Sequence, residues 1–519
     1  MKNCKRFLAL FVMLAMLAGC AAPASGPAAL PDGQVPLLRL AGGTDWGVPN
    51  PFLHQSRGPG QGKMRLVYAS LLEKDETGNV GWLAESWQQN ASEYTFTLRE
   101  GAKFQDGTPL TTADVAFTID YCRAHPPVSA SLGAGDAFLV DSYTVQDERT
   151  ITIKAARTDA DTLLSLGSFV ILPRHIWEQV DDPYTYTGEG YLVGSGAYAC
   201  TGYDAAAGSY EFTAQNDFCA GIPAAQRVLF VPVSDALLAF EKGEIDITDM
   251  PADLAERYRN DPSIGLVEKS DDMGTKLLVN FEKCPQMLNK SLREALYWAL
   301  DRQAVVDKVL RGAGSVGSAG YVPPSSLYYA PDCVQYPYRP NEAKELLQPL
   351  ELKMTMLCAD SGSDLAIAEL LANNLQAAGM EVTVQAYDSA TRDQMVNAGE
   401  YELALVSNGG WGNNPPDYLR TVFSDTAKNK GGNPHNMGPI GYENAAITAL
   451  ANAQKAETDP DKRKELLAEL QVEISREIPL VVVATKSAYS MYRKDVYDGW
   501  MKTYAYQQAE QNRLSYMLR

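Results

Sequence analysis

Residues 352–386 are LKMTMLCADSGSDLAIAELLANNLQAAGMEVTVQA, and this stretch decides the fold class of the chain. Residues 352–358 and 381–386 alternate between apolar and polar side chains, as half-buried strands do. Residues 365–378 are apolar at helical spacing and stop at Gly379. A strand, a helix and a strand in this order predict two parallel strands joined by a right-handed crossover. We therefore expect an α/β fold with a parallel sheet.

The next strand in the chain predicts where a ligand would bind. Residues 401–407 form another apolar stretch, which ends at Ser407. In parallel α/β sheets, ligands bind beyond the carboxyl ends of the strands. The loop at 408–418 is therefore predicted to lie at the mouth of a binding site.

Antiparallel elements precede this unit. The alternation Tyr-Thr-Phe-Thr-Leu at 94–98 predicts a strand. A turn follows at Asp106-Gly107, and Thr111 with Asp114 predicts a capping box for a helix that runs to Tyr121. Further strands are predicted at 150–154 and, as a hairpin around Gly208-Ser209, within 197–213.

Two longer helices are predicted in the second half of the chain. One begins at Ser291, where Glu294 completes a capping box, and its apolar pattern runs to Leu310. The other runs from Asp459-Pro460 to Glu477 and is followed by a buried strand at 480–484.

Size and charge limit the possible functions. A chain of 519 residues is too long for one compact core and predicts two or three domains. Hydrophobic residues make up 45% and charged residues 21%, which is typical of a globular protein. The net charge of −19 argues against nucleic acid as a partner, because the phosphate backbone would repel the chain.

The N-terminus resembles a bacterial lipoprotein signal. Basic residues precede an apolar run at 7–17, which is shorter than the ~20 residues that a spanning helix needs. The run ends at Leu-Ala-Gly-Cys20, so residues 1–19 are interpreted as a signal peptide and Cys20 as the lipidated residue. The alternative is an ordinary signal peptide with a cysteine by chance. Residues 20–34 would form a flexible tether.

Cysteine spacing indicates no metal knuckle. The chain has eight cysteines, and six remain after Cys4 is lost with the signal and Cys20 carries lipid. No two of the six form a C-x-x-C pair, which argues against a zinc knuckle or a redox motif. Cys200 and Cys219 flank the predicted hairpin and are the best candidates for a disulfide.

Catalytic motifs are not found in the sequence. It contains neither H-E-x-x-H nor G-x-S-x-G. Residues 58–63 resemble a phosphate loop, but Met64 stands where a magnesium-binding Ser or Thr is required. Residues 312–317 match G-x-G-x-x-G after a predicted helix and not after a strand. Both segments are interpreted as loops, and we predict no enzyme, no cofactor and no metal site.

Several segments together resemble one family, the family 5 solute-binding proteins of peptide and nickel ABC importers. The most specific stretch comprises 67–72, 83–87, 94–101 and Phe-Gln-Asp-Gly-Thr-Pro-Leu-Thr at 104–111, and this last block, ending Ala-Asp-Val at 113–115, is close to the family signature. The other segments are at 194–198, 241–247, 292–302 and 338–343. The resemblance covers almost all of the chain from about Leu40 to the C-terminus.

The resemblance implies a two-lobed, periplasmic-binding-protein-like fold of type II, in the three-domain cluster C arrangement. The hinge between the lobes is expected near 272–276 and 485–487. The domains implied are domain I at 35–55, 192–272 and 485–519, domain II at 56–191, and domain III at 273–484.

The resemblance also implies a function. The chain would be an extracytoplasmic lipoprotein monomer, anchored on the periplasmic side or on the cell surface. It would capture oligopeptides or dipeptides between its lobes and deliver them to ABC permease subunits. A receptor for a nickel or metallophore complex is the alternative, and a secreted hydrolase is the third interpretation.

The predicted ligand residues lie mainly in one loop. Peptide-binding members carry Trp-x-x-Asp, whose aspartate pairs with the amino terminus of the ligand. Asn414 occupies that position after Trp411, and a neutral amide supplies no charge. Asp417 would then supply the charge, and Trp411 and Tyr418 would stack on the ligand. Alternatively, Trp411 anchors the lobe and Asp417 caps the next turn.

The expected site has a second possible ligand class and two further residues. The segment from Trp411 to Tyr418 also resembles the Trp-Gly-x-Pro-x-Asp-Pro segment of nickel-complex binders. Asp45 and Trp46, which follow the first predicted strand, face the cleft in related proteins.

Overall fold

The fold is taken from a computed structural model. It describes residues 30–55, 58–75, 78–324, 326, 328–360, 362–409, 419, 422–423, 438–501 and 512–519. Side chains at 251, 253, 269–273 and 408–409 are not described.

One large mixed sheet of 11 strands forms the centre of the molecule. Its strand order is β15-β14-β16-β12-β17-β11-β1-β10-β9-β8, and β13 pairs with β17. These strands are β1 Val35–Gly42, β8 Tyr198–Asp204, β9 Ser209–Ala214, β10 Ala225–Pro232, β11 Ile247–Pro251, β12 Ile264–Val279, β13 Gly314–Val316, β14 Lys353–Ala359, β15 Glu381–Tyr387, β16 Leu403–Gly409 and β17 Val481–Arg493.

Two smaller sheets lie between β1 and β8 in the sequence. A hairpin joins β2 and β3, and a four-stranded antiparallel sheet has the order β4-β5-β7-β6. Tyr94, Phe96 and Leu98 of β5 are buried, as their alternation predicts. These strands are β2 Leu72–Asp75, β3 Gly78–Gly81, β4 Ala84–Asn90, β5 Glu93–Leu98, β6 Val140–Val145 and β7 Thr150–Ala155.

The helices pack on these sheets. Those that precede β12 are α1 Gly58–Val67, α2 Thr112–Ala124, α3 Thr162–Ser168, α4 Arg174–Trp177, α5 Ala236–Glu241 and α6 Ala252–Ala255. Those that follow it are α7 Lys290–Ala299, α8 Arg302–Ala304, α9 Pro340–Leu347, α10 Asp364–Ala377, α11 Ser389–Ala398, α12 Ala445–Ala456 and α13 Pro460–Glu477.

The predicted strand–helix–strand unit is confirmed. β14 and β15 are parallel and pair Lys353 with Glu381, with α10 between them in the chain. β16 is parallel to β14 on its other side, where Met356 pairs with Leu403. The apolar face of α10 is buried on these strands.

The buried residues divide into separate clusters. One large cluster and one small cluster occupy the described parts of 30–268 and 488–519, which we call body 1. Two others occupy the described parts of 273–486, which we call body 2.

β12 and β17 run through both bodies. The first part of β12 pairs Ile264 with Arg493 in body 1, and the last part pairs Leu277 with Val481 in body 2. The register of the pair shifts between Lys269 and Met273. The two bodies are therefore joined by the long antiparallel pair of β12 and β17, which we call the strand crossing. The part of this pair with the shifted register lies between the two bodies.

Several local predictions need correction. The helix expected from Ser291 to Leu310 begins at Lys290 with Asn289 as its N-cap and ends at Ala299. The 58–63 segment is the start of α1 and not a loop, and 314–316 is strand β13. Cys200 and Cys219 are both free thiols in the structure, and burial raises the pKa of each to about 11.

Candidate functional site

The ends of several strands meet at the crossing between the bodies. In body 2, β16 ends at Gly409, which pairs with Met273 of β12. In body 1, β11 ends at Pro251, which pairs with Ala488 of β17. β1 is parallel to β11, so its carboxyl end lies at the same edge. The loops that follow β1 and β16 therefore begin at the edges nearest the crossing, where a cleft between the bodies would open.

Asp45 lies in the loop after β1 and is held by its own body. Its Oδ1 accepts hydrogen bonds from the hydroxyls of Tyr203 at 2.7 Å and Tyr210 at 3.3 Å, and from the Gly47 N–H at 2.8 Å. Burial opposes ionisation, but these bonds prevail and lower the pKa of Asp45. Asp45 is therefore a fixed negative charge at this edge.

Trp46 belongs to the same fixed loop. The backbone N–H of Trp46 donates to the Tyr210 hydroxyl at 2.7 Å, and its backbone carbonyl accepts from the Gln55 N–H at 2.9 Å. The indole is half-buried and packs against the core of body 1. Gly60 allows α1 to lie close to the backbone of this loop, because a Cβ there would lie 2.5 Å from the Gln55 carbonyl oxygen.

The other predicted site residues are not among those described. Trp411, Asn414, Asp417 and Tyr418 fall within 410–418, and Cys20 falls within 1–29. Their roles stay predictions, and so do the ligand roles of Asp45 and Trp46.

A buried lysine lies beside the crossing, and sequence motifs gave it no role. Lys276 lies on β12, three residues after Met273, and its side chain is fully buried. Its Nζ donates to the Tyr321 hydroxyl at 3.2 Å, and burial lowers its pKa to about 7. The sequence feature that could have indicated a buried lysine is its position directly before the apolar run at 277–279.

Tyr321 has a strained backbone beside this lysine. Its φ of +81° lies in the left-handed region, which costs a non-glycine residue about 1 kcal/mol or more. Its ring meets Phe423 edge-on, with centroids 5.1 Å apart. The packing of body 2 thus fixes the hydroxyl that receives the lysine hydrogen bond.

The described residues offer neither a metal-binding cluster nor a membrane-spanning helix. They include no group of three or more His, Cys, Asp or Glu side chains arranged to hold a metal ion. Within the same part of the chain, none of the helices combines the length and the apolar character that crossing a bilayer requires.

Two α/β bodies joined by a strand crossing, with β1 and β16 ending at the edges nearest it, define a periplasmic-binding-protein-like fold. The sequence places the chain within this class. The profile described as "Bacterial extracellular solute-binding proteins, family 5 Middle" matches residues 79–430. The chain belongs to this family of solute-binding proteins.

Individual relatives are similar over most of their length. Heme-binding protein A of Haemophilus influenzae is 26% identical over 454 residues, covering 80% of this chain and 81% of that protein. The dipeptide-binding protein of Escherichia coli is 24% identical over 451 residues, covering 80% and 82%.

Solved structures share the fold. The ABC transporter substrate-binding protein CtaP of Listeria monocytogenes has a TM-score of 0.77 at 22% identity, covering 93% of this chain and 99% of that one. NikZ of Campylobacter jejuni, in complex with Ni(L-His), has a TM-score of 0.70 at 18% identity, covering 90% and 95%. At these identities the likeness shows the fold and nothing about the ligand.

Proposed function

We propose that this protein is the substrate-binding lipoprotein of an ABC importer and that it captures dipeptides or oligopeptides between body 1 and body 2. The observation that carries the proposal is that β12 and β17 join the two bodies and that β1 and β16 both end at the edges nearest this crossing. A receptor needs such a cleft to enclose a small ligand.

The movement proposed is a rotation of the two bodies about the crossing. Domain I (35–55, 192–272 and 485–519) and domain II (56–191) would move together, and domain III (273–484) would move against them. The shift in register between Lys269 and Met273 supports a hinge there, because irregular pairing interrupts the ladder of hydrogen bonds.

Peptide recognition would combine the fixed loop of body 1 with the loop of body 2. A peptide carries a cationic amino terminus, and Asp417 would pair with it while Trp411 and Tyr418 stack on the ligand and Asn414 accepts a hydrogen bond. Asp45 would add a second negative charge across the cleft, with Trp46 beside it. The name of the Escherichia coli relative, a dipeptide-binding protein, supports this ligand class.

A nickel complex is the second candidate. The structure in complex with Ni(L-His) matches 90% of this chain, and the segment from Trp411 to Tyr418 resembles that of nickel-complex binders. The complex contains ligands of its own, so a receptor can recognise it through stacking and hydrogen bonds.

Anchoring is proposed at Cys20. The basic start, the short apolar run and the Leu-Ala-Gly-Cys sequence support removal of residues 1–19 and lipidation of Cys20. The tether at 20–34 would then keep the receptor beside its permease.

A binding screen tests the proposal. The full-length chain carrying Cys20→Ser is heated with di- to hexapeptides and with nickel in the presence and absence of histidine. A peptide at about 100 times its Kd is expected to stabilise the chain by about 2.7 kcal/mol. Trp411→Ala should abolish that gain, whereas Tyr338→Ala, at a side chain that is 44% exposed in body 2, should leave it unchanged.

Each other result points to a different function. Stabilisation by nickel with histidine alone would replace the peptide with a chelate. Hydrolysed peptide products in the sample would indicate an enzyme. A chain that no peptide or nickel complex stabilises would contradict both proposed ligand classes.

A further inference from the structure

A cluster of charged residues joins the two bodies at a second place. In body 1, Asp161 directly precedes α3; in body 2, Lys455 is on α12 and Arg463 is on α13. The Lys455 ammonium forms an ion pair with the Asp161 carboxylate, and Arg463 Nη1 lies 3.4 Å from Asp161 Oδ1. The Ala160 N–H also donates to the Lys455 carbonyl at 3.1 Å. One short segment of body 1 is therefore held by two helices of body 2.

The loop that carries Asp161 is shaped for this contact. Asp159 Oδ1 accepts from the Asp161 N–H at 3.0 Å and from the Thr162 hydroxyl at 3.1 Å, which fixes the turn before α3. Asp161 occupies the N-cap position of α3 but makes no capping hydrogen bond with its side chain. An aspartate at this position ordinarily caps its own helix, but the Asp161 carboxylate contacts the cations of body 2 instead.

The contact is shielded from water. The exposed fractions are 14% for the Asp161 side chain, 21% for Lys455 and 12% for Arg463. Ion pairs at this depth are screened less by solvent and salt than exposed pairs. Lys74 of β2 also approaches: burial lowers its pKa, Asp161 opposes that effect and Arg463 adds to it.

Movement of the bodies must break these contacts. α3 moves with body 1, because its Leu166 is buried in the core of that body. α12 and α13 move with body 2, because Ala451 and Leu470 are buried there. A rotation about β12 and β17 therefore separates Asp161 from Lys455 and Arg463.

We infer that Asp161, Lys455 and Arg463 form an electrostatic latch that holds the two bodies together at a point away from the strand crossing. The inference rests on the proposed rotation of the bodies. The latch favours the arrangement of this structure, and its release precedes the opening of the cleft.

Small-angle scattering of the full-length chain carrying Cys20→Ser tests the latch. At low salt, Asp161→Asn and Lys455→Met should each raise the radius of gyration, through a roughly fivefold shift from closed to open molecules, equivalent to about 1 kcal/mol. Added NaCl, from about 20 mM to about 500 mM, should open the parent chain, because ions stabilise the charges once they separate into solvent. It should change the two variants little, because each lacks one member of the Lys455–Asp161 pair.

Two exposed ion pairs within single bodies provide controls. Asp141→Asn breaks the Lys154–Asp141 pair of body 1, and Glu381→Gln breaks the Lys353–Glu381 pair of body 2. Neither should change the scattering curve at either salt concentration.

The outcomes separate the latch from the proposed function. Identical scattering of the parent and Asp161→Asn chains would overturn the latch, even if peptides stabilise both in the binding screen. Salt-dependent opening that is lost in Asp161→Asn would support the latch, even if the screen yields no ligand.

Discussion

Among single residues, Lys276 is notable because its charged ammonium group is buried away from water. Its side chain is fully buried on β12 and donates to Tyr321. Burial of an ammonium group disfavours its charged form, which lowers the pKa of Lys276 from 10.5 to about 7. The folded chain therefore releases this proton at a lower pH than the unfolded chain does.

Lys276→Met should stabilise the protein at low and neutral pH. Below pH 7 the lysine is charged in both states, so the folded state bears the net cost of the buried charge, and its removal should gain roughly 1–4 kcal/mol. Between pH 7 and 10.5 unfolding takes up a proton, so the stability of the parent chain rises with pH and the gain shrinks. Urea unfolding at about pH 6 and about pH 9.5 measures both values.

An exposed lysine of the same body controls for the loss of a charge in general. Lys344→Met on α9 should change stability by less than about 0.5 kcal/mol at both pH values. If Lys276→Met gave the same gain at both pH values, better packing and not the buried charge would be its cause.

At the scale of elements, α1 and the loop before it depend on each other. Gly60 stands in the first turn of α1, and a Cβ there would lie 2.5 Å from the Gln55 carbonyl oxygen and 3.0 Å from that of Trp46. Both are backbone atoms, so they cannot rotate out of the way as a side chain could. This close approach fixes the loop that carries Asp45 and Trp46.

Gly60→Ala should therefore destabilise the chain. Alanine is the better helix former by about 1 kcal/mol, but the clash should outweigh this gain and give a net loss of roughly 1–3 kcal/mol. Urea unfolding measures the loss, and Gln61→Ala at the next position controls for helix propensity. A stabilised Gly60→Ala chain would show that the loop moves freely away from α1.

Elements with local signals could be predicted closely. The Asp459-Pro460 start of α13 and its end at Glu477 are both confirmed, because a capping side chain and a proline lie next to the boundary. The capping box of Thr111 and Asp114 is confirmed for the same reason.

The bounds of elements that depend on contacts distant in sequence could not be predicted. The helix after Asn289 ends at Ala299, where Leu300 is extended and the Asp301 N–H donates to Asn374 of α10. The strand predicted at 480–484 continues to Arg493, because β12 and β11 pair with its second half. Apolar periodicity contains no information about such partners.

In the candidate site, too, strand order could be predicted from the sequence and contacts between distant residues could not. The structure places the end of β16 at the crossing, the edge at which the sequence predicts a ligand loop. The role of that loop stays a prediction. The two tyrosines that hold Asp45 lie about 160 residues away in the chain, so the hydrogen bonds could not be predicted from sequence spacing.

At the scale of the whole molecule, the chain leaves body 1, builds body 2 and returns. Its last described segment, 512–519, completes body 1: the Tyr516 carbonyl accepts from the Ala224 N–H at 2.7 Å and from the Tyr198 hydroxyl at 3.0 Å. Body 1 therefore needs residues that follow body 2 in the sequence.

A buried ion pair fixes this returning segment. The guanidinium of Arg513 contacts the carboxylate of Glu73 on β2, and the two side chains are only 4% and 7% exposed. Burial, and then the positive charge of Arg65, lower the pKa of Arg513 well below its usual value. Glu73 is thus the negative charge that makes the buried guanidinium tolerable.

Removal of one partner should cost much more than removal of both. Glu73→Gln leaves a buried cation without its counter-charge and should destabilise the chain by about 3–5 kcal/mol, whereas Glu73→Leu combined with Arg513→Met should recover most of that loss. Urea unfolding of the three chains measures the difference, and Arg227→Gln, which breaks an exposed pair with Glu211, should cost less than about 1 kcal/mol. If Glu73→Gln were as mild as that control, packing alone and not charge would hold the returning segment, because the buried guanidinium would then tolerate the loss of its carboxylate.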